Sequence, residues 1–201
     1  VTYFGEILEN INLSEFLRQH PPTDVKPADN QTIEKYRELL PECLLELWKH
    51  SGFGKYGDGL IEIINPDDYK QLLYGWLMYD EEDLSRLPIA ISAFGALLYY
   101  RKLGSEDEDI AFIDPHYCES GVVCWSLESF FNESLCNSDY LEVLQKQGLF
   151  KEALADFGKL TPGEIFYFAP AIPLGGAEEL KHIRKGSAVV QLDILLQLAL
   201  S

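Results

Sequence analysis

The apolar run Leu87–Tyr100 sets the tightest limit on what this chain can fold into. Ser92 and Gly95 interrupt it, and it is too short for a membrane helix, which takes about 20 apolar residues. It reads as two strands, Ile89–Ala93 and Phe94–Tyr100. Two more follow, Ile110–Ile113 and Val122–Ser126, with turns between them and Gly104–Asp109 as an acidic hairpin loop. An earlier strand, Leu60–Ile64, ends at Asn65-Pro66. Asp67 or Asp68 is placed to cap the next helix, Tyr69–Met78. The centre of the chain is thus a small, mostly antiparallel sheet.

Helical spacing flanks this centre. Leu13, Phe16 and Leu17 mark a first helix over Leu13–His20, stopped by the proline-rich stretch Pro21–Pro27. Ile33, Tyr36, Leu39 and Leu40 mark a second. Pro41 opens a third, which buries Leu44, Leu47 and Trp48. Gly52, Gly54, Gly57 and Gly59 read as a tight loop. Beyond the sheet, Leu127, Phe130, Phe131 and Leu135 form one helical face. Tyr140, Leu141 and Leu144, then Phe150, Leu154 and Phe157, form two more, closed by Gly158. Ile165–Phe168 reads as a strand, Pro170–Gly176 as a loop, and Ala188–Leu200 as a last helix with Leu192, Leu195 and Leu196 inward. The class is α+β: a mostly antiparallel central sheet with flanking helices. The boundary falls near Asn132–Ser138, giving parts 1–131 and 132–201 packed together, or one merged unit.

Charge narrows the function. The chain carries 33 acidic and 16 basic residues, a formal net charge of −17. Such a surface repels phosphate backbones and anionic membranes, which argues against nucleic acid and membrane as partners. It favours basic partners through steered association. Cys43, Cys118, Cys124 and Cys136 are scattered and read as reduced thiols. Val1–Leu8 has no basic segment followed by an apolar run, so the expected location is cytoplasmic.

Signatures of catalysis are missing. His116, Cys118 and Cys124 lie close together but without a C-x-x-C pair, and Cys124, beside Trp125, reads as a core residue. No G-x-S-x-G elbow occurs. The glycine stretch Gly52–Gly59 lacks phosphate-loop order and leads into a strand, where a phosphate loop leads into a helix. His50 and His182 read as helix-terminal residues. The expectation is a non-enzyme with no metal and no cofactor. The acidic clusters are Asp80, Glu81, Glu82 and Asp83; Glu106, Asp107, Glu108 and Asp109; and Glu178-Glu179. Each reads first as solvated surface, and together they could form a face for a basic partner. The first two clusters are the candidate contact residues. Tyr74, Trp76 and Tyr79 read first as core and second as exposed anchors.

Two stretches carry more than pattern. Leu40-Pro41, Trp48, Gly52-Phe53-Gly54, Gly57-Asp58-Gly59, Ile63-Ile64-Asn65-Pro66 and Tyr69 resemble the GAD-like domain. Ala93-Phe94-Gly95, Leu98-Tyr99-Tyr100 and Asp114-Pro115 look like its continuation. Leu160–Gly176, with Leu192, Ile194, Leu195 and Gln197-Leu198, resembles the C-terminal domain of type VI secretion immunity proteins. The pairing is similar to bacterial immunity proteins that neutralise co-encoded DNase toxins. The resemblance implies a partner, a cognate effector toxin bound as a heterodimer, and inhibition by protein–protein contact. A regulatory or scaffold protein of the same fold is the alternative.

Overall fold

The computed structural model describes residues 13–143 and 145–201; Val1–Leu8 and Leu144, both used above, lie outside them. Seven strands form one sheet in strict chain order, each pair of neighbours antiparallel. They are β1 (Pro22–Lys26), β2 (Phe53–Tyr56), β3 (Ile61–Ile63), β4 (Arg86–Ser92), β5 (Leu97–Lys102), β6 (Glu108–Asp114) and β7 (Glu119–Cys124). A second, two-stranded sheet pairs β8 (Glu164–Phe168) with β9 (Ile183–Ser187). The helices are α1 (Ser14–Gln19), α2 (Asn30–Tyr36), α3 (Glu42–His50), α4 (Pro66–Leu77), α5 (Leu127–Asn132), α6 (Ser138–Val143), α7 (Gln147–Phe157) and α8 (Ala188–Ala199). The α+β class with a central antiparallel sheet is as the sequence reads.

The central apolar run is continuous because both faces of the sheet are covered. Side chains alternate along a strand, so a half-buried strand would alternate with polar residues. Here Leu98, Tyr100 and Ile110 join a cluster with Phe16, Trp48, Phe130 and Phe166. Leu97, Tyr99, Ala111 and Ile113 join a second cluster with Tyr69 and Leu73 of α4 and Leu192 of α8. Pro88 lies inside β4 at a register shift between Pro88 and Ala90. A bulge is where a central strand tolerates a residue without an N–H.

Several boundaries move. Pro22–Lys26 is an edge strand where the sequence suggests only a break; Pro22 stands first in it, a position that proline fills without cost. Half of the glycine stretch is strand: β2 occupies Phe53–Tyr56, and a single 3-10 turn follows over Gly57–Gly59. Gly54 has φ 129°, and a Cβ there would stand 2.1 Å from the Asp24 carbonyl oxygen, so glycine serves close approach of strands. Ala93–Ala96 make the turn before β5, with Gly95 at φ 86°, so the second central strand begins at Leu97. β7 begins and ends before its expected limits, and Trp125, just beyond it, is largely exposed. Cys124 packs against the core as read. β9 has no counterpart in the sequence reading. The cap of α4 is Asn65, whose side chain accepts from the Asp67 N–H at 3.1 Å. Asp67 and Asp68 stand instead in the first turn, where the helix dipole favours carboxylates.

One contact joins the β2–β3 pair to the start of β8. Lys55 and Glu62 face each other across β2 and β3, and Lys55 Nζ lies 2.6 Å from Glu62 Oε2. The same ammonium donates to the Glu164 carbonyl oxygen at 2.7 Å, and Glu62 Oε1 accepts from the Gly163 N–H at 2.8 Å. Both side chains are buried. Burial pulls the Lys55 pKa down, and Glu62 opposes that pull. Phe166 N–H also donates to the Ala93 carbonyl oxygen at 2.8 Å. One buried cluster therefore runs from Leu13 to Ile183.

Lys55→Met leaves a buried carboxylate without its cation and is expected to cost about 3–5 kcal/mol in urea unfolding. Adding Glu62→Gln, which keeps the acceptor for Gly163, is expected to return most of that loss. Equal destabilisation by the single and double variants would show that the pair does not act as a unit.

Two buried histidines give the fold a pH dependence. The Nε2 N–H of His20 donates to Leu135 O at 2.7 Å, and that of His116 to Phe94 O at 2.9 Å. Burial lowers both pKa values. The unfolded chain then binds more protons below about pH 6.5, so stability falls as pH drops below that value. Each histidine contributes at most about 1.4 kcal/mol per pH unit. Urea midpoints at pH 7.5, 6.5 and 5.5 are expected to decline, and His116→Gln to flatten the decline.

Candidate partner-binding surface

The two candidate clusters meet at one end of the sheet. Arg86 opens β4 opposite Arg101 near the end of β5. The Lys102 N–H donates to the Ser85 carbonyl oxygen at 2.8 Å, extending that ladder by one step. The α4–β4 connection and the β5–β6 hairpin are therefore side by side. Glu178 and Glu179 are held elsewhere. Glu178 lies 3.0 Å from Lys146 Nζ and accepts from the Tyr117 hydroxyl at 2.9 Å, and Lys146 also pairs with Asp114 at the far end of β6.

The α4–β4 connection is locally pinned. Met78 ends α4 in the left-handed region at φ 56°. The Tyr74 hydroxyl lies 3.0 Å from the Asp83 carbonyl oxygen and 3.2 Å from that of Arg86. Asp83 Oδ1 accepts from the Ser85 N–H at 3.0 Å and hydroxyl at 2.6 Å, and Oδ2 pairs with Arg86. Hydrogen bonds from Ser85 chiefly hold the Asp83 carboxyl below its ordinary pKa. The Arg86 guanidinium sits 5.6 Å from the Tyr79 ring centre, a cation–π contact that orients the ring. Glu82 pairs with Lys70.

The eight candidate carboxylates thus divide. Asp80, Glu81, Glu106 and Asp107 are exposed and have no ion pair among the described residues. Glu82 and Asp83 are tied to Lys70 and Arg86. Glu108 and Asp109 belong to β6, not to a solvated loop. Glu108 Oε1 accepts from the Leu127 N–H at 2.8 Å, at the start of α5. Asp109 is fully buried and takes both its bonds from Arg101, at 2.6 Å each.

Apolar side chains stand among these acids. Met78 is 76% exposed, Tyr79 40%, Leu84 44% and Leu103 48%. Tyr79 was visible in the sequence as a possible anchor. Tyr74 is buried and Trp76 half-buried, as core readings require. Met78, Leu84 and Leu103 join Tyr79 in the structure; in the sequence their signal is that they bracket the acidic runs. Exposed apolar side chains among charged ones are a combination that protein interfaces also show.

The other chemistry-bearing residues are engaged structurally. His116 is buried under Phe168, ring centres 5.0 Å apart; Cys118 is exposed; Cys124 Sγ donates to Ser126 O at 3.3 Å. Among the described residues no group of three or more His, Cys, Asp or Glu side chains could hold a metal ion. No helix among them is long and apolar enough to cross a membrane.

The family model for the GAD-like domain matches residues 4–111. The chain belongs to the GAD-like family. Residues 125–199 match the C-terminal domain of the type VI secretion immunity protein Tdi1. Together the two matches place this GAD-like protein with the type VI secretion immunity proteins. Its fold is similar to the crystal structure of Atu4351 from Agrobacterium tumefaciens, with a TM-score of 0.69 and 22% identity over 90% of this chain and 86% of that one. A search of curated proteins finds no match.

Stability separates the two kinds of carboxylate on this surface. Asp109→Asn weakens a buried pair and is expected to cost about 3 kcal/mol or more. Asp107→Lys, two residues away, is expected to stay within about 0.5 kcal/mol of the parent. Comparable losses in thermal unfolding would contradict the division drawn above.

Proposed function

We propose that this chain is a cytoplasmic immunity protein that binds a cognate type VI effector, a DNase, and silences it by protein–protein contact without catalysis. The observation that carries this reading is the match of residues 125–199 to an immunity-protein domain, in order after a GAD-like domain. The surface at the sheet end supports it. A DNase holds its substrate through basic side chains, and the exposed Asp80, Glu81, Glu106 and Asp107 complement such a cleft. Met78, Tyr79, Leu84 and Leu103 supply apolar area that exposed charges do not. The acids speed encounter, and the anchors slow release.

Co-expression with the neighbouring effector, purification of the complex and a DNA-degradation assay test the reading. A stable complex without nuclease activity is the expected result. No complex, or a complex that still cuts DNA, would leave the regulatory or scaffold role. Within the complex, joint reversal of Asp80, Glu81, Glu106 and Asp107 to Lys is expected to slow association by about tenfold or more and flatten its salt dependence. Tyr79→Ala is expected to raise the dissociation rate by about tenfold or more. Unchanged kinetics in both variants would remove this end of the sheet from the contact.

A further inference from the structure

A groove follows the seam where the two matched stretches meet. Its wider part, about 730 Å³, is bounded by Phe53, Ile64 and Tyr69 on one side and by Gly163 and Val189 on the other. A second part, about 400 Å³, lies between α4 and α8, where Leu72 faces Val190 and Ile194. Asp68 and Val189 wall both parts, so the two adjoin. The second part exists because α8 packs on α4. The packing is close: a Cβ at Gly75 would stand 2.7 Å from Leu196 Cδ2.

The charges along the groove are unbalanced. Asp24, Asp68 and Asp193 line it, against Lys26. Glu62 lines it too, but its charge is met by Lys55. Asp24 and Asp68 have no ion pair among the described residues. Among the described residues Asp193 accepts only from Gln197 Nε2, at 2.7 Å. Burial, then the neighbouring Asp67, raises the Asp68 pKa, as expected for a carboxylate short of a cation. Val189, Val190 and Ile194 remain 41%, 52% and 45% exposed beside it. Apolar walls with unpaired carboxylates exclude phosphates and fit a cation carried between apolar groups.

We infer that the seam groove docks a segment of a partner protein in which an arginine or lysine is flanked by apolar side chains, the cation meeting Asp68 and the apolar residues covering Val189, Val190 and Ile194. The site is distinct from the acidic end of the sheet. Asp68 and Leu77, the last residue before Met78, lie nine positions apart on α4, about 14 Å along the helix axis. The inference does not depend on the partner being a toxin.

The test is an amide NMR titration of the full chain with the peptide acetyl-Leu-Ile-Arg-Val-Leu-Ser-amide at up to millimolar concentration. Shifts are expected to cluster at Asp68, Tyr69, Val189, Val190 and Ile194. Replacing the peptide's arginine by glutamate is expected to weaken binding at least tenfold. Asp68→Lys is expected to do the same. Val189→Lys, at an exposed position, provides a second variant that keeps the fold and puts a cation into the groove. Reversal of Asp80 and Glu81 to Lys is expected to change the affinity less than twofold. The inference is overturned by shifts that centre on the acidic loops, by equal binding of the arginine and glutamate peptides, or by no shifts at all. Concentration-dependent shifts at the groove without peptide would assign it to a second copy of this chain and overturn it as well. No toxin enters the titration, so its failure and the failure of the immunity reading are separate results.

Discussion

The buried contact between Lys55 and Glu62 is the constraint on which the rest of the structure depends. Two charges withdrawn from water are costly, and the cost is offset only when their hydrogen-bonding capacity is also met. Here two of the partners come from the start of β8, more than a hundred residues along the chain: Gly163 N–H for the carboxylate and the Glu164 carbonyl for the ammonium. The contact therefore demands three things together. β2 and β3 must pair with Lys55 opposite Glu62, both side chains must point to the same face, and the turn before β8 must close over them. A slip of one residue would turn Glu62 to the opposite face and strand the lysine. A nonspecific apolar seam would tolerate such a slip, so the ion pair specifies an arrangement more than it adds stability.

Once that seam is set, the sheet is covered on both faces and its middle strands become the most buried part of the molecule. This explains how a stretch as apolar as Leu87–Tyr100 stays out of water, and why α4 and α8 end up side by side. It also separates two surfaces by construction. The seam groove lies at the start of α4, and the acidic end lies past its C-terminus. A rigid helix between them means that a partner touching both meets a fixed spacing and loses little freedom in the protein on binding.

How far the sequence revealed this depended on whether the deciding interaction was local. The unbroken apolar run at Leu97–Tyr100 and the helical spacing at Phe130–Phe131 and Phe150–Phe157 were legible, because local pattern alone reports them. β1, β2 and β9 were not. Pro22 and Gly54 are breakers by composition, and only their pairing with a neighbouring strand makes them extended. The same limit governed the candidate site. Glu106 and Asp109 belong to one acidic run, yet one is exposed and the other buried. What separates them is the register that sets Asp109 opposite Arg101 across β5 and β6. Charge was legible; accessibility was not.

That difference bears on what the acidity is for. Carboxylates already matched to Lys70, Arg86 and Arg101 add little field beyond their own pairs. The effective charge toward a partner comes from the unmatched ones. At the sheet end these are Asp80, Glu81, Glu106 and Asp107, crowded on two adjacent connections where they repel one another. Exposed charges of this kind contribute almost nothing to folding. Nor does folding gain from leaving Met78, Leu84 and Leu103 in water. Local stability would favour lysines among the acids and polar residues in place of the apolar ones. The arrangement gives up both, and a basic partner that buries the anchors while neutralising the acids would recover both at once.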